Sequence, residues 1–304
     1  MQRVSFVLPA YKSRFLKEAI ASILAQTHRE FELVVVDDCS PDDLKAIVGE
    51  FDNPRISYHR NATNLGGSDL VAAWTHALSF AQGEWCVLAG DDDVYAPRFL
   101  EEMVRLTEKY PQVDLVHSRQ RIIDAGGRVR EIASARRELE SAIELIYGRM
   151  VHQVRQYVPD FMFRRSRLEA IGGFVRFPKA WYSDDATWAL MAANGCANCN
   201  EPLFSFRVSG LNISSECGKV AELVQAGLQY RDWARREFER LKPANDDEGV
   251  MLKRVRASLD GRVLALISGE MKATTWGEWL HIMRTMSMPR GWKLRILKNA
   301  LMRR

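Results

Sequence analysis

The sequence predicts an α/β fold, a mostly parallel sheet flanked by helices, followed by a helical C-terminal region. Three observations carry this expectation. Short apolar runs alternate with helix-period segments through residues 1–118. Two of those runs stop abruptly in clusters of aspartate, Asp37-Asp38 and Asp91-Asp92-Asp93. From residue 216 onward the apolar spacing is helical.

The elements follow in order. Val4–Leu8, stopped by Pro9, reads as a buried strand. Ser13 is a suitable cap for a helix with apolar positions at Leu16, Ile20, Ile23 and Leu24. Phe31–Val36 is the second strand and Arg55–Tyr58 the third. A helix over Leu70–Ala81, closed by Gly83, precedes a strand at Trp85–Ala89. Pro97 opens a helix to about Lys109, since proline is well tolerated in a first turn, and Val113–His117 is a further strand. Residues 119–180 are mixed and polar, with a turn at Gly126-Gly127 and a helix near Leu139–Met150. An apolar helix, Ala186–Ala193, follows Asp184-Asp185.

Composition narrows the class. The 304 residues carry 43 Lys and Arg against 39 Asp and Glu, a formal charge of +4, which excludes a strongly basic nucleic-acid binder at the level of the whole chain. The basic excess is local. Residues 284–304 hold Arg284, Arg290, Lys293, Arg295, Lys298, Arg303 and Arg304 with no acid, so the body leans acidic. No window of about 18 apolar residues occurs, and the N-terminus lacks the pattern of a secretory signal. Five cysteines make no disulfide framework; Cys196 and Cys199 form a lone C-x-x-C without a second pair, and the ligand count favours reduced thiols over zinc. The default expectation is a cytoplasmic protein.

Ligands of such sheets bind beyond the carboxyl ends of the strands, where the aspartates stand. Three adjacent carboxylates repel one another unless a cation compensates, and Mg2+ or Mn2+ prefers carboxylate oxygen; a solvated acidic turn at the helix beginning with Pro97 is the alternative. Asp37-Asp38 could accept hydrogen bonds from a nucleobase or ribose, or form a simple Asx turn. Asp184-Asp185, after Trp181-Tyr182, suits a general base sheltered by aromatics, or a helix cap.

Taken together, Val4–Tyr11, Leu16–Thr27, Phe31–Asp42, Asn64-Leu65-Gly66, Ala81–Trp85, the aspartate triplet with Pro97, Gly172-Gly173-Phe174 and Asp184-Asp185 resemble the family-2 glycosyltransferases over about residues 3–215. The resemblance implies the Rossmann-like GT-A fold, with residues 1–215 as the transferase domain: a nucleotide-sugar-binding half at 1–118 and an acceptor-binding half at 119–215. Residues 216–304 would form the helical C-terminal region with its basic amphipathic tail. It implies a nucleotide-sugar donor (UDP- ahead of GDP- or dTDP-) held by Pro9, Ala10, Tyr11, Asp37, Asp38, Asn64, Gly66 and Asp91. It further implies a divalent metal, Mn2+ or Mg2+, on Asp92 and Asp91, with Asp185 as base beside Asp184. The acceptor would be the hydroxyl of a glycan or lipid-linked glycan, attacked with inversion.

Three positions depart from the family pattern. Gly90 stands where the metal motif usually begins, Trp74-Thr75 replaces Arg-Asn, and Ser209 stands in place of a histidine after Arg207. The first two-thirds therefore also suit a non-catalytic nucleotide- or glycan-binding module. A nucleotidyltransferase is disfavoured, because the first strand runs into Pro-Ala-Tyr-Lys without a Gly-rich loop. In the tail, Trp292, Ile296, Leu297, Ala300 and Leu301 share one arc. That arc suits either contact with the inner face of an anionic membrane through residues 289–304 or packing on the protein.

Overall fold

A computed structural model describes residues 3–210, 220–272 and 274–301, with the side chains of Ala300 and Leu301 undescribed. The expected boundary at residues 215/216 and the end of the tail, Arg303 and Arg304, lie outside the described residues.

The expected alternation is present. Strands β1 (Val4–Ala10), β2 (Phe31–Asp37), β3 (Ile56–Arg60) and β4 (Trp85–Leu88) alternate with helices α1 (Leu16–Leu24), α2 (Leu44–Gly49) and α3 (Leu70–Leu78). The short β5 (Val94–Tyr95), α4 (Phe99–Lys109), β6 (Leu115–Asp124), β7 (Val129–Ile132) and β8 (Leu139–Glu140) follow. Next come α5 (Ala142–Met150), β9 (Phe161–Arg164), α6 (Arg165–Ala170), α7 (Ser183–Met191) and β10 (Cys196–Val208). The chain continues through α8 (Val220–Arg240), α9 (Asp246–Glu270), α10 (Trp276–Thr285) and α11 (Trp292–Leu301).

Among the described residues the strands make one ten-stranded sheet with the central order β3-β2-β1-β4-β9-β6-β10-β5. Strands β3, β2, β1 and β4 run parallel; β9 is antiparallel to both β4 and β6, and β10 returns parallel to β6. All seven residues of β2 are buried, as expected of a parallel strand covered on both faces. This order brings the carboxyl ends of β1, β2 and β4 side by side, with Ala10 opposite Asp37. Pro9, the aspartate clusters and the loop after β3 therefore meet at one edge.

Several local expectations are corrected. Ser13 does not cap α1: the cap position is Phe15, and the Ser13 hydroxyl donates to Asp42. Pro97 lies before α4, whose cap position is Arg98. Leu139 starts a two-residue strand, and α5 begins after Ser141, whose side chain closes a capping box with Glu144. Neither Ser183 nor an aspartate caps α7. Tyr182 holds that position in the left-handed region, φ 65°, without a side-chain cap.

The C-terminal helices pack on the body. One apolar cluster joins Ile143, Ile146 and Met150 of α5, Ala186 of α7, Val224 and Tyr230 of α8, and Val255, Val263 and Ile267 of α9. Helix α8 approaches α9 closely at Gly227, where a β-carbon would lie 3.4 Å from Ile267 and Val263. Trp292 and Ile296 belong to the same cluster and are almost fully buried, so the described part of the tail's apolar arc faces the protein. No described helix is long and apolar enough to cross a membrane.

Candidate active site

At the carboxyl edge of β1, β2 and β4 lies a cavity of about 390 Å³. Its lining includes Pro9, Ala10, Tyr11, Asp38, Asn64, Gly66, Asp91, Asp92 and Asp184, nine of the eleven residues expected from the sequence. The other two, Asp37 and Asp185, lie off this cavity.

Asp38 and Asp37 follow one another in the chain and do different things. Asp38 Oδ1 accepts from Asn61 Nδ2 (2.7 Å) and the Leu65 N–H (2.9 Å), and Oδ2 accepts from the Gly66 N–H (2.7 Å). One carboxylate thus folds the loop after β3 around itself. A β-carbon at Gly66 would sit 3.0 Å from Asp38 Oδ2, so that approach requires glycine. Asp37 is fully buried; it accepts from the Ser40 N–H (2.8 Å), the Tyr58 hydroxyl (2.5 Å) and Arg60. Asp37, expected to hold the nucleotide, thus turns its oxygens to the fold and does not line the cavity.

The aspartate triplet divides in the same way. Asp91 Oδ2 accepts from the backbone N–H groups of Tyr11 and Lys12, both at 2.9 Å, and so holds the loop after β1. Asp93 is buried, and its Oδ1 accepts from the Arg207 N–H at 3.0 Å. Arg207, near the end of β10, is not a surface residue. It is 1% exposed, its Nε donates to the Asp92 carbonyl (2.7 Å), it pairs with Glu18 (2.7 Å), and its guanidinium lies 4.4 Å from the Phe15 ring centre. Burial, and then the charge of Asp91, push the Asp92 carboxyl up to about 6. A β-carbon at Gly90 would lie 2.6 Å from Asp93 Oδ2, which gives the departure at Gly90 a steric reason.

Among the described residues no group of three or more His, Cys, Asp or Glu side chains could by itself hold a metal ion. The donor set still fits a Mg2+-type ion, which is commonly held by one or two carboxylates and completed by phosphate and water. Asp92, with its proton affinity raised beside a second carboxylate, is chemically suited to that role. Cys196 and Cys199 are buried in β10 as free thiols.

A second cavity of about 350 Å³ adjoins the first and shares Leu70, Trp74, Tyr157, Val158, Lys179 and Asp184 with it. Helices α8 and α9 complete its wall through Tyr230, Arg262, Val263 and Leu266. Asp185 lines this cavity; its Oδ1 accepts from Arg149 Nε (2.7 Å) and Gln156 Nε2 (3.0 Å). Asp184 stands on the shared wall, and burial, then the charge of Asp185, raise its carboxyl to about 7.

Sequence reading missed the segment that presents this pair. Lys179, Ala180 and Tyr182 all have left-handed backbone, φ 55°, 56° and 65°. Such conformations cost on the order of 1–3 kcal/mol each in non-glycine residues and gather at functional sites. Lys179 Nζ reaches across to the Gly67 carbonyl at 3.1 Å. No glycine marks these positions, so the sequence carries no local signal of the bend. Trp74, read only as a departure, turns out to line both cavities.

Comparison with known proteins agrees with this geometry. Residues 5–172 match the family described as Glycosyl transferase family 2. Protein CgeD of Bacillus subtilis (strain 168) is 29% identical over 193 residues, covering 62% of this chain and 43% of CgeD. The chain spans less than half the length of the first curated relatives that it matches. S. aureus TarS 1–349, solved in complex with UDP-GlcNAc, superposes with a TM-score of 0.70 at 18% identity, over 92% of this chain and 79% of that one. The mannosyltransferase PcManGT from Pyrobaculum calidifontis, in complex with GDP-Man and Mn2+, gives 0.57 at 16% identity, over 98% and 84%. The fold is GT-A, as the sequence implied.

Proposed function

Because the chain belongs to glycosyl transferase family 2, we propose that it moves one sugar from a nucleoside-diphosphate donor to a hydroxyl of a glycan or lipid-linked glycan, with inversion. The observation that carries this reading is the position of Asp184, on the wall common to two adjoining cavities. The first cavity has the features a nucleotide needs. Asp38 lines it and holds the loop that presents Asn64 and Gly66 to a nucleoside, while Lys12 and Lys179 on the wall suit a diphosphate. UDP is the first nucleotide to test, ahead of GDP and dTDP, since related folds are solved with UDP-GlcNAc and with GDP-Man.

Asp92, assisted by Asp91, is the proposed holder of Mn2+ or Mg2+. A cation bound there would neutralise charge on the departing diphosphate. The chain's own contribution is placement and proton transfer. Asp185, oriented by Arg149 and Gln156, takes the proton from the acceptor hydroxyl as that oxygen attacks the anomeric carbon. Burial and the neighbouring Asp185 raise the Asp184 carboxyl to about 7, so Asp184 holds its proton in the lower half of the neutral range. One displacement at the anomeric carbon gives inversion.

The experiment is donor binding and turnover with UDP-, GDP- and dTDP-sugars, with and without Mn2+. An active wild type, with an Asp185→Asn variant that binds nucleotide but does not turn over, supports the transferase. Nucleotide binding without hydrolysis or transfer of any donor would favour a binding module.

A further inference from the structure

The second cavity contains four cations, and three of them are engaged. Arg149 is paired with Asp185, Arg155 with Glu131 (3.1 Å), and Lys179 with the Gly67 carbonyl. Arg262 is different: among the described residues its guanidinium has neither a hydrogen bond nor an ion pair. It is half-buried on α9, one residue before Val263, which is fully buried in the contact with α8. The backbone position of Arg262 is therefore fixed by packing while its side chain lines open space. Tyr182 lines the same space, and its hydroxyl also has no hydrogen-bond partner among the described residues.

The rest of this wall is aromatic. The Tyr182 and Tyr230 rings are stacked at 4.8 Å and 15°, and Trp181 adjoins Tyr182 at 6.3 Å. Flat apolar faces of this kind suit the C–H face of a saccharide ring. A neutral glycan would need only hydroxyl partners, and a half-buried guanidinium facing it would be left without a counter-charge. Arginine's planar fork matches the two oxygens of a carboxylate or phosphate.

We infer that the acceptor is anionic, carrying a carboxylate or phosphate that Arg262 binds while its sugar ring lies against Tyr182 and Tyr230. This rests on the transferase reading and names the class of its second substrate. Arg262 is a specificity-determining residue for that substrate; the proton transfer belongs to the aspartate pair.

The test measures binding of glucuronate, glucose 6-phosphate and neutral methyl glucoside to the full chain saturated with UDP and Mn2+, so that the phosphate sugar cannot enter the donor cavity. Wild type is expected to bind at least one of the two anionic sugars about 10- to 100-fold more tightly than methyl glucoside. The better of the two identifies the source of the charge. Arg262→Gln should abolish the preference, and Arg262→Lys should retain part of it. Both variants should bind UDP as wild type does, and the lysine variant guards against misfolding of the first. Equal binding of neutral and anionic sugars, no binding of any, or a preference that survives Arg262→Gln would overturn the inference. If wild type itself fails to bind every nucleotide tested, the transferase reading fails first and separately.

Discussion

The backbone N–H of Arg207 donates to Asp93 Oδ1 at 3.0 Å, and its Nε donates to the Asp92 carbonyl at 2.7 Å. Strand β10 thereby fixes the acidic loop from behind. Replacing Arg207 by alanine keeps the backbone bond to Asp93 but leaves the Asp92, Asp124 and Ala125 carbonyls and Glu18 without their side-chain partner. The expected loss is about 2–3 kcal/mol of stability, read by urea unfolding, as is typical when buried acceptors lose their donor. A change below about 0.5 kcal/mol would show that the contact is dispensable.

Gly90 gives a second test, by restoring the residue that the family usually carries. Gly90→Asp would set a β-carbon against Asp93 Oδ2 and add a fourth carboxylate to the loop. We expect lower thermal stability and no gain in Mn2+ affinity, read by thermal unfolding and by titration in the presence of UDP. Tighter Mn2+ binding without loss of stability would show that the loop has room.

Asp92→Asn separates cation binding from nucleotide binding. The expected result is at least a 100-fold drop in turnover and loss of the Mn2+-dependent part of UDP affinity, with the metal-free part retained. Chelation by EDTA should reproduce the variant's behaviour in wild type. An Asp92→Asn enzyme that still responds fully to Mn2+ would exclude Asp92 as the ligand.

Asp184 predicts a pH dependence of stability. Its carboxyl is raised in the fold to about 7, so the native state holds a proton that the unfolded chain releases near pH 4. This contribution is complete below about pH 4 and is lost as pH rises through about 7. Asp184→Asn mimics the protonated form, and should melt about 3 °C or more above wild type at pH 8, with a clearly smaller difference at pH 5 and little near pH 4. An equal difference at both pH values would rule out titration of Asp184 as the cause.

The tail yields a fifth contrast. With Trp292 and Ile296 packed inward, the described residues of 289–304 that can meet an anionic membrane include the exposed Arg290, Leu294, Arg295 and Lys298. Leu294→Glu with Arg295→Glu should remove binding to phosphatidylserine-containing vesicles and leave the melting temperature unchanged. Trp292→Ala should cost about 3 kcal/mol of stability. Vesicle binding that survives the double substitution would place the contact elsewhere.

The sequence was most legible where chemistry and strand ends coincide. Pro9, Asp38 and Asp92 stand at the tips of buried apolar runs, and a parallel sheet must bring such tips together. Asp37 and Asp93 have the same composition and spacing, yet their oxygens are consumed by Arg60 and Arg207, contacts that only the fold reveals. Strand β9, four residues in a polar stretch, gives no pattern showing that it inserts antiparallel between β4 and β6. The second cavity was illegible for a related reason. Arg262 sits more than 70 residues from Asp185, and its neighbours on the helix show only a packing stripe.

Leu70, Trp74, Tyr157, Val158, Lys179 and Asp184 belong to both cavities at once. A molecule seated in either one alters surfaces that the other ligand will touch. The two affinities are then not separate constants: whatever factor the donor applies to acceptor binding, the acceptor must apply to donor binding. An acceptor constant measured on the nucleotide-free protein therefore describes a different receptor from the one that turns over.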